Sequence, residues 1–124
     1  MAPISAARSA ASLVTAEATV RALLSASPGT VTIVAMGDNG IIRTDEDELT
    51  AIHLRNRLEG RPGNKEAVRQ VILAGGEVGR LYDPARLGHR PEDVEIALDI
   101  DRYDFAIRVE CQNGRPIARL ERPA

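Results

Sequence analysis

Residues 30–36 read TVTIVAM, a β-branched and almost wholly apolar run bounded by Pro28-Gly29 and Gly37. A strand with no polar face predicts cover on both sides, the habit of a central strand in a parallel α/β sheet. Upstream, Leu13, Ala16, Val20, Leu23 and Leu24 recur at helical spacing. They predict an amphipathic helix capped by Ser12 or Thr15 and stopped at Ser27-Pro28-Gly29. Downstream, a loop over residues 37–44 with an Asn39-Gly40 turn leads into a helix over 45–59. Gly60-Arg61-Pro62-Gly63 breaks that helix, and Asn64 caps another that runs to Ala74 with Ala67, Val68, Val71 and Ile72 on one face. Residues 77–90 have little periodicity, and Pro91 suits the first position of a short helix to Leu98. Tyr103, Phe105, Ile107, Val109 and Cys111 then alternate with more polar residues, as in a half-buried strand. Asn113-Gly114 is a hairpin turn, and Pro116 places the return strand at a sheet edge.

These elements predict one α/β domain over residues 1–124, with residues 1–10 disordered. The expected architecture is a layered sheet with helices on both faces and a C-terminal β-hairpin. Only one strand is apolar on both sides, and few others are available to flank it. The sheet is therefore expected to be incomplete and to need a partner chain, and the chain is expected not to be monomeric.

Composition narrows the function classes. The 124 residues carry 16 basic and 18 acidic side chains, a net charge of −2. That balance offers no electrostatic footprint for nucleic acid or an anionic membrane. The single cysteine, Cys111, reads as a small apolar strand residue and excludes a cysteine-based metal site. No long apolar run spans a membrane, and the N-terminus lacks the apolar core of a signal peptide, so a cytoplasmic protein is expected.

The candidate chemistry lies in the acidic stretch that follows the apolar run: Asp38, Asp45, Glu46, Asp47 and Glu48. Asp47 shares a helical stripe with Ala51, Leu54 and Leu58, which turns a carboxylate inward at the carboxyl end of the apolar strand. Open α/β sheets bind ligands there. Two readings stay open. Thr44 and Asp47 fit a capping box, and first-turn acids relieve the helix dipole. Alternatively, Glu46, Asp47 and Asp38 hold a hard cation such as Mg²⁺, which takes oxygen ligands and needs only one or two carboxylates. Arg43, in the same loop, can grip phosphate or sulfonate through its guanidinium fork, and Asn39 is a further candidate contact to an anionic substrate. His89, in a loop, is a weaker anion candidate. His53 lies on the side of its helix away from Asp47 and reads as a surface or packing residue. Gly75-Gly76 reads as a helix exit, and no Gly-x-Ser-x-Gly elbow, His-Glu-x-x-His or P-loop occurs.

Three segments, in order, resemble the 2-phosphosulfolactate phosphatase family. SLVTAEATVRALL is similar to the helix before that family's buried strand. VTIVAMGDNGIIRTDEDELTA resembles its strand, Gly-containing loop and Glu-Asp helix start, with Glu46, Asp47 and Ala51 matching. DVEIALDIDRYDFAIRVE resembles its closing segment. The likeness runs from residue 12 to residue 110 and covers the family's C-terminal half. Members are much longer, and their N-terminal half, which also supplies strands and site residues, has no counterpart here. The resemblance implies an incomplete, half-length version of the phosphosulfolactate phosphatase fold. It implies Mg²⁺-dependent hydrolysis of a small phosphorylated sulfo- or carboxylic acid, with Asp47 and Glu46 catalytic, in a homo-oligomer or with a complementary N-terminal-half subunit. The alternative is a non-catalytic family member that acts as a subunit or interaction module.

Overall fold

A computed structural model describes residues 7–37, 40–75 and 91–123. The loop candidates Asp38, Asn39 and His89, and the segment 76–90, lie outside the described residues. The chain mixes helices with a small sheet, in the order β1 (Arg8–Ala10), a 3₁₀ turn (Leu13–Thr15), α1 (Ala16–Ser25), α2 (Asp45–Leu58), α3 (Lys65–Ala74), α4 (Pro91–Ala97), β2 (Ala106–Gln112) and β3 (Arg115–Glu121). No described helix is long and apolar enough to cross a membrane.

The C-terminal hairpin forms as its turn signal requires. Asn113 and Gly114 both adopt positive φ (52° and 76°), the geometry of the tight turn that matches strand twist. It sets the β2–β3 register from Ala106 opposite Glu121 to Gln112 opposite Arg115. Strand β2 begins at Ala106, later than alternation alone predicts, and Tyr103 and Phe105 stack before it with centroids 5.2 Å apart. Cys111 lies on β2 but is exposed. On the other side of β2, Arg8–Ala10 pairs antiparallel, with Ser9 opposite Arg108. These residues were expected to be disordered, and β2 gives them hydrogen-bond partners that local sequence does not reveal.

The sheet departs from expectation. Among the described residues it is three-stranded, antiparallel and ordered β1-β2-β3, and its main helical packing is α1 against β2. Among the described residues, the expected parallel sheet with a central 30–36 strand and helices on both faces does not appear. Residues 30–36 belong to no strand, and among the described residues their backbone groups have no hydrogen-bond partner. Their side chains still alternate, with Ile33 and Ala35 half-buried and Val34 and Met36 exposed at 68% and 66%. This is the period of an extended chain. The segment has the composition of a buried strand, but the three described strands pair only with one another.

The core lies among the helices. Leu13, Ile72, Val94, Leu98 and Ile100 form one cluster, with Leu49 and Val68 against it. Ala16, Val20 and Leu54 form a second, with Ile33 and Leu58 packed on it. The small Ala16, Ala18 and Ala22 on α1 are all buried. Thr15 and Thr19 are buried beside them, and the Thr19 hydroxyl donates to the Thr15 carbonyl at 2.7 Å, which satisfies a polar group at low cost. Asn64 caps α3 as expected, accepting from the Ala67 N–H at 2.9 Å. The expected apolar face of α3 is narrower than its pattern: Ile72 is buried and Val68 half-buried, but Ala67 and Val71 are exposed.

The N-terminus of α1 differs from expectation. Neither Ser12 nor Thr15 caps it through a side chain. Instead Asp101, 84 residues away, accepts the Glu17 N–H at 2.8 Å. Its other oxygen meets the Lys65 ammonium at 2.7 Å. Asp101 adopts φ 63°, a left-handed conformation that aspartate tolerates better than most residues. Two backbone bonds fix the same loop: the Asp101 N–H donates to Leu13 O and the Tyr103 N–H to Val14 O. The Asp-x-Asp segment therefore works as a remote cap that ties α1 to α3.

Candidate active site

The first turn of α2 holds Asp45, Glu46, Asp47 and Glu48, as the helix-start pattern predicts. Negative charge there is stabilised by the exposed N–H groups and the helix dipole. The capping box does not form. Thr44 occupies the N-cap position with extended backbone, but its side chain makes no cap hydrogen bond, and its buried Oγ1 has no partner among the described residues. Asp47 reaches across the loop instead, and its Oδ2 accepts the Gly37 N–H at 2.7 Å. The stripe with Ala51, Leu54 and Leu58 forces this direction, since all four side chains face the same groove. Capping would have required Asp47 to turn back along the helix.

Gly37 is the last residue of the apolar run's exit. Its φ is 68°, and a Cβ there would collide with the Ile42 carbonyl. Only glycine fits this close approach of backbone to backbone. Gly37 and Asp47 therefore hold the end of the apolar run against Ile42 and the start of α2.

The remaining candidates distribute as follows. Arg43 is exposed and pairs with Glu48, Nε to Oε1 at 3.1 Å. Glu46 is half-buried, and its backbone carbonyl accepts from the Thr50 hydroxyl at 2.6 Å. Asp45 is exposed, beside Gly75 at the end of α3. His53 is 3% exposed, within the helical core, and burial holds its imidazole below its ordinary pKa. Arg57 and Lys65 push the same way, and Asp101 and Glu17 oppose them. Of the surface and packing alternatives for His53, the structure shows packing, since the side chain is buried and its ring abuts Gly63.

No family model matches this chain, and no curated protein or solved structure matches it.

Chemically, the described site is a carboxylate held at the mouth of an apolar groove. The groove has a volume of about 1160 Å³, and its only charged lining residues among those described are Arg8 and Asp47. No set of three metal-capable side chains assembles among the described residues. A Mg²⁺ ion bound mainly by phosphate and water needs fewer, and Asp47 keeps one carboxylate oxygen free of described partners. The Asp47–Gly37 tether and the remote cap by Asp101 were missed in sequence. The tether had one legible signal, an inward-facing acid four residues before Ala51 with a glycine ten residues earlier. The cap had none, because its partners are brought together only by the fold.

Proposed function

We propose that this chain is the phosphosulfolactate-phosphatase-like portion of a Mg²⁺-dependent phosphoric monoester hydrolase acting on a small phosphorylated sulfo- or carboxylic acid within a larger assembly. The observation that carries the reading is Asp47. Its carboxylate is oriented by the Gly37 N–H and presented to the groove. Asp47, with Glu46 on the same turn and Asp38 in the loop, would hold the ion. When bound, Mg²⁺ would neutralise phosphate charge and polarise the phosphorus. Arg43 and Asn39 are the proposed substrate contacts. Arg43 is exposed and can exchange Glu48 for a phosphate or sulfonate oxygen, because a surface ion pair contributes only about 0–1 kcal/mol. The resemblance described above supplies the reaction class.

A thermal melt with and without metal tests the reading. Mg²⁺ at 100 times its dissociation constant should stabilise the protein by about 2.7 kcal/mol, and Asp47→Asn should lose most of that gain. Melts indifferent to millimolar Mg²⁺, Mn²⁺ and Ca²⁺ would remove the metal site from this chain. Phosphate release from small monoesters by the chain alone is expected to stay at background, because the groove beside Asp47 is open and the resemblance covers only the C-terminal half of the family's pattern. Turnover well above background that Asp47→Asn abolishes would refute that expectation.

A second reading, a non-catalytic subunit or interaction module, is favoured by a separate observation. The most strand-like segment of the chain, residues 30–36, has a backbone unpaired among the described residues and borders the same open groove.

A further inference from the structure

We infer that the groove between β1 and residues 30–36 is a vacant strand position, filled by the 30–36 segment of a second copy of this chain. The inference rests on the association reading and is independent of phosphate hydrolysis. One wall of the groove is residues 7–11, which include β1, a strand paired on one side only among the described residues. The other wall is residues 30–36, whose backbone is unpaired among the described residues. The floor is helical: Leu23 from α1, and Ala51, Leu54 and Leu58 from α2. A groove with backbone on both sides and apolar side chains beneath is the shape left when one strand is removed from a sheet packed on helices. Its volume of about 1160 Å³ exceeds the roughly 300–1,000 Å³ of small-ligand pockets. An extended polypeptide is the ligand whose donors and acceptors repeat along both walls.

Two features select a second copy. The first is charge. Among its described lining residues only Arg8 and Asp47 are charged, so an uncharged apolar strand suits the groove. The segment TVTIVAM is such a strand, and each chain carries one segment and one groove. The second is edge protection. Exposed sheet edges are normally guarded by charges or proline. The β3 edge follows that rule, with Arg115, Pro116, Arg119 and Glu121. Residues 30–36 carry neither charge nor proline, although Val34 and Met36 are mostly exposed and Ile41, in the adjoining loop, is 86% exposed. The β3 edge is guarded against pairing, whereas the 30–36 segment is left open to it. A two-fold axis lets each segment enter its partner's groove at once, joining both sheets into one without a remaining open edge on this side.

The test combines sedimentation with hydrogen exchange on the full chain. The expected result is a species of twice the 13.4 kDa chain mass at high micromolar concentration. The amides of residues 30–36 should be protected in it and exchange freely on dilution. Val34→Pro removes one ladder N–H that has no acceptor among the described residues, and it should abolish the doubled mass. Circular dichroism and protection of the α1 and α2 amides show whether that variant remains folded. If it does not, Val34→Lys places a charge at a position 68% exposed in the single chain and is expected to weaken the dimer. A chain that stays at 13.4 kDa throughout, or a dimer whose 30–36 amides exchange freely, overturns the proposal. The metal melt of Asp47 fails or succeeds separately from either outcome.

Discussion

Removing the Asp47 carboxylate should release Gly37 from the start of α2 and leave the helix intact. The Gly37 N–H donates to Asp47 Oδ2 at 2.7 Å, and Asp47 is half-buried along the groove. A hydrogen bond to a charged group contributes about 1.5–3 kcal/mol net. Asp47→Ala also removes an acid from the helix's positive end, a further loss of about 0.3–1 kcal/mol. Three other acids remain in that turn, so the lower end of that range applies. The sum is about 2–3 kcal/mol. Unfolding entropy near 2.1 cal/mol/K per residue over this length makes each kcal/mol worth about 4 °C in Tm, so Asp47→Ala should melt about 8–12 °C lower. Asp47→Asn keeps a neutral acceptor and should lose about 1 kcal/mol, or about 4 °C. The assay is calorimetry at one protein concentration, since association also moves Tm. A double-mutant cycle with Gly37→Ala isolates the tether. The added Cβ collides with the Ile42 carbonyl and displaces the loop, so Asp47→Ala in that background should cost much less than alone. A loss below about 0.5 kcal/mol for Asp47→Ala, or strict additivity with Gly37→Ala, would show that the Gly37–Asp47 bond does not hold the loop.

Asp101→Ala should destabilise by about 2–4 kcal/mol in urea. It removes the acceptor of the Glu17 N–H and the Lys65 partner, and leaves alanine at φ 63°, whereas Asp101→Asn should cost about 1 kcal/mol. His53 gives a pH signature of definite sign. Its folded pKa lies below the ordinary 6.5 because of burial, so below that pH the unfolded chain binds a proton the native chain resists. Its contribution is therefore complete above pH 6.5 and declines as pH falls towards the lowered folded value, and His53→Gln should flatten that part of the melting profile. Leu54→Ala, at a position 4% exposed in the second core cluster, should cost about 2–5 kcal/mol by equilibrium denaturation.

Local pattern determined most of the elements. The helical spacing of residues 13–24, the breaker at 60–63, the Asn64 cap and the Asn113-Gly114 turn each specify their element through interactions within a few residues. The inward turn of Asp47 was legible for the same reason, because helix geometry fixes which side chains share a face. What Asp47 touches was not legible. A capping box and a tether to Gly37 use the same residues, and only the position of the incoming chain selects between them. Pairing was the other blind spot. The 30–36 run has the composition of a central strand, yet composition states only what a segment would bury, never whether a neighbour exists to bury it. Residues 8–10 show the converse, since a short unremarkable stretch becomes a strand because β2 lies alongside with free backbone groups. Asp101 capping a helix 84 residues away belongs to the same class. Contacts near in sequence are fixed by the geometry of the chain itself. Contacts distant in sequence depend on which surfaces the folded helices and strands bring together, and in this protein that decided the sheet order, the open groove and the use of its acidic turn.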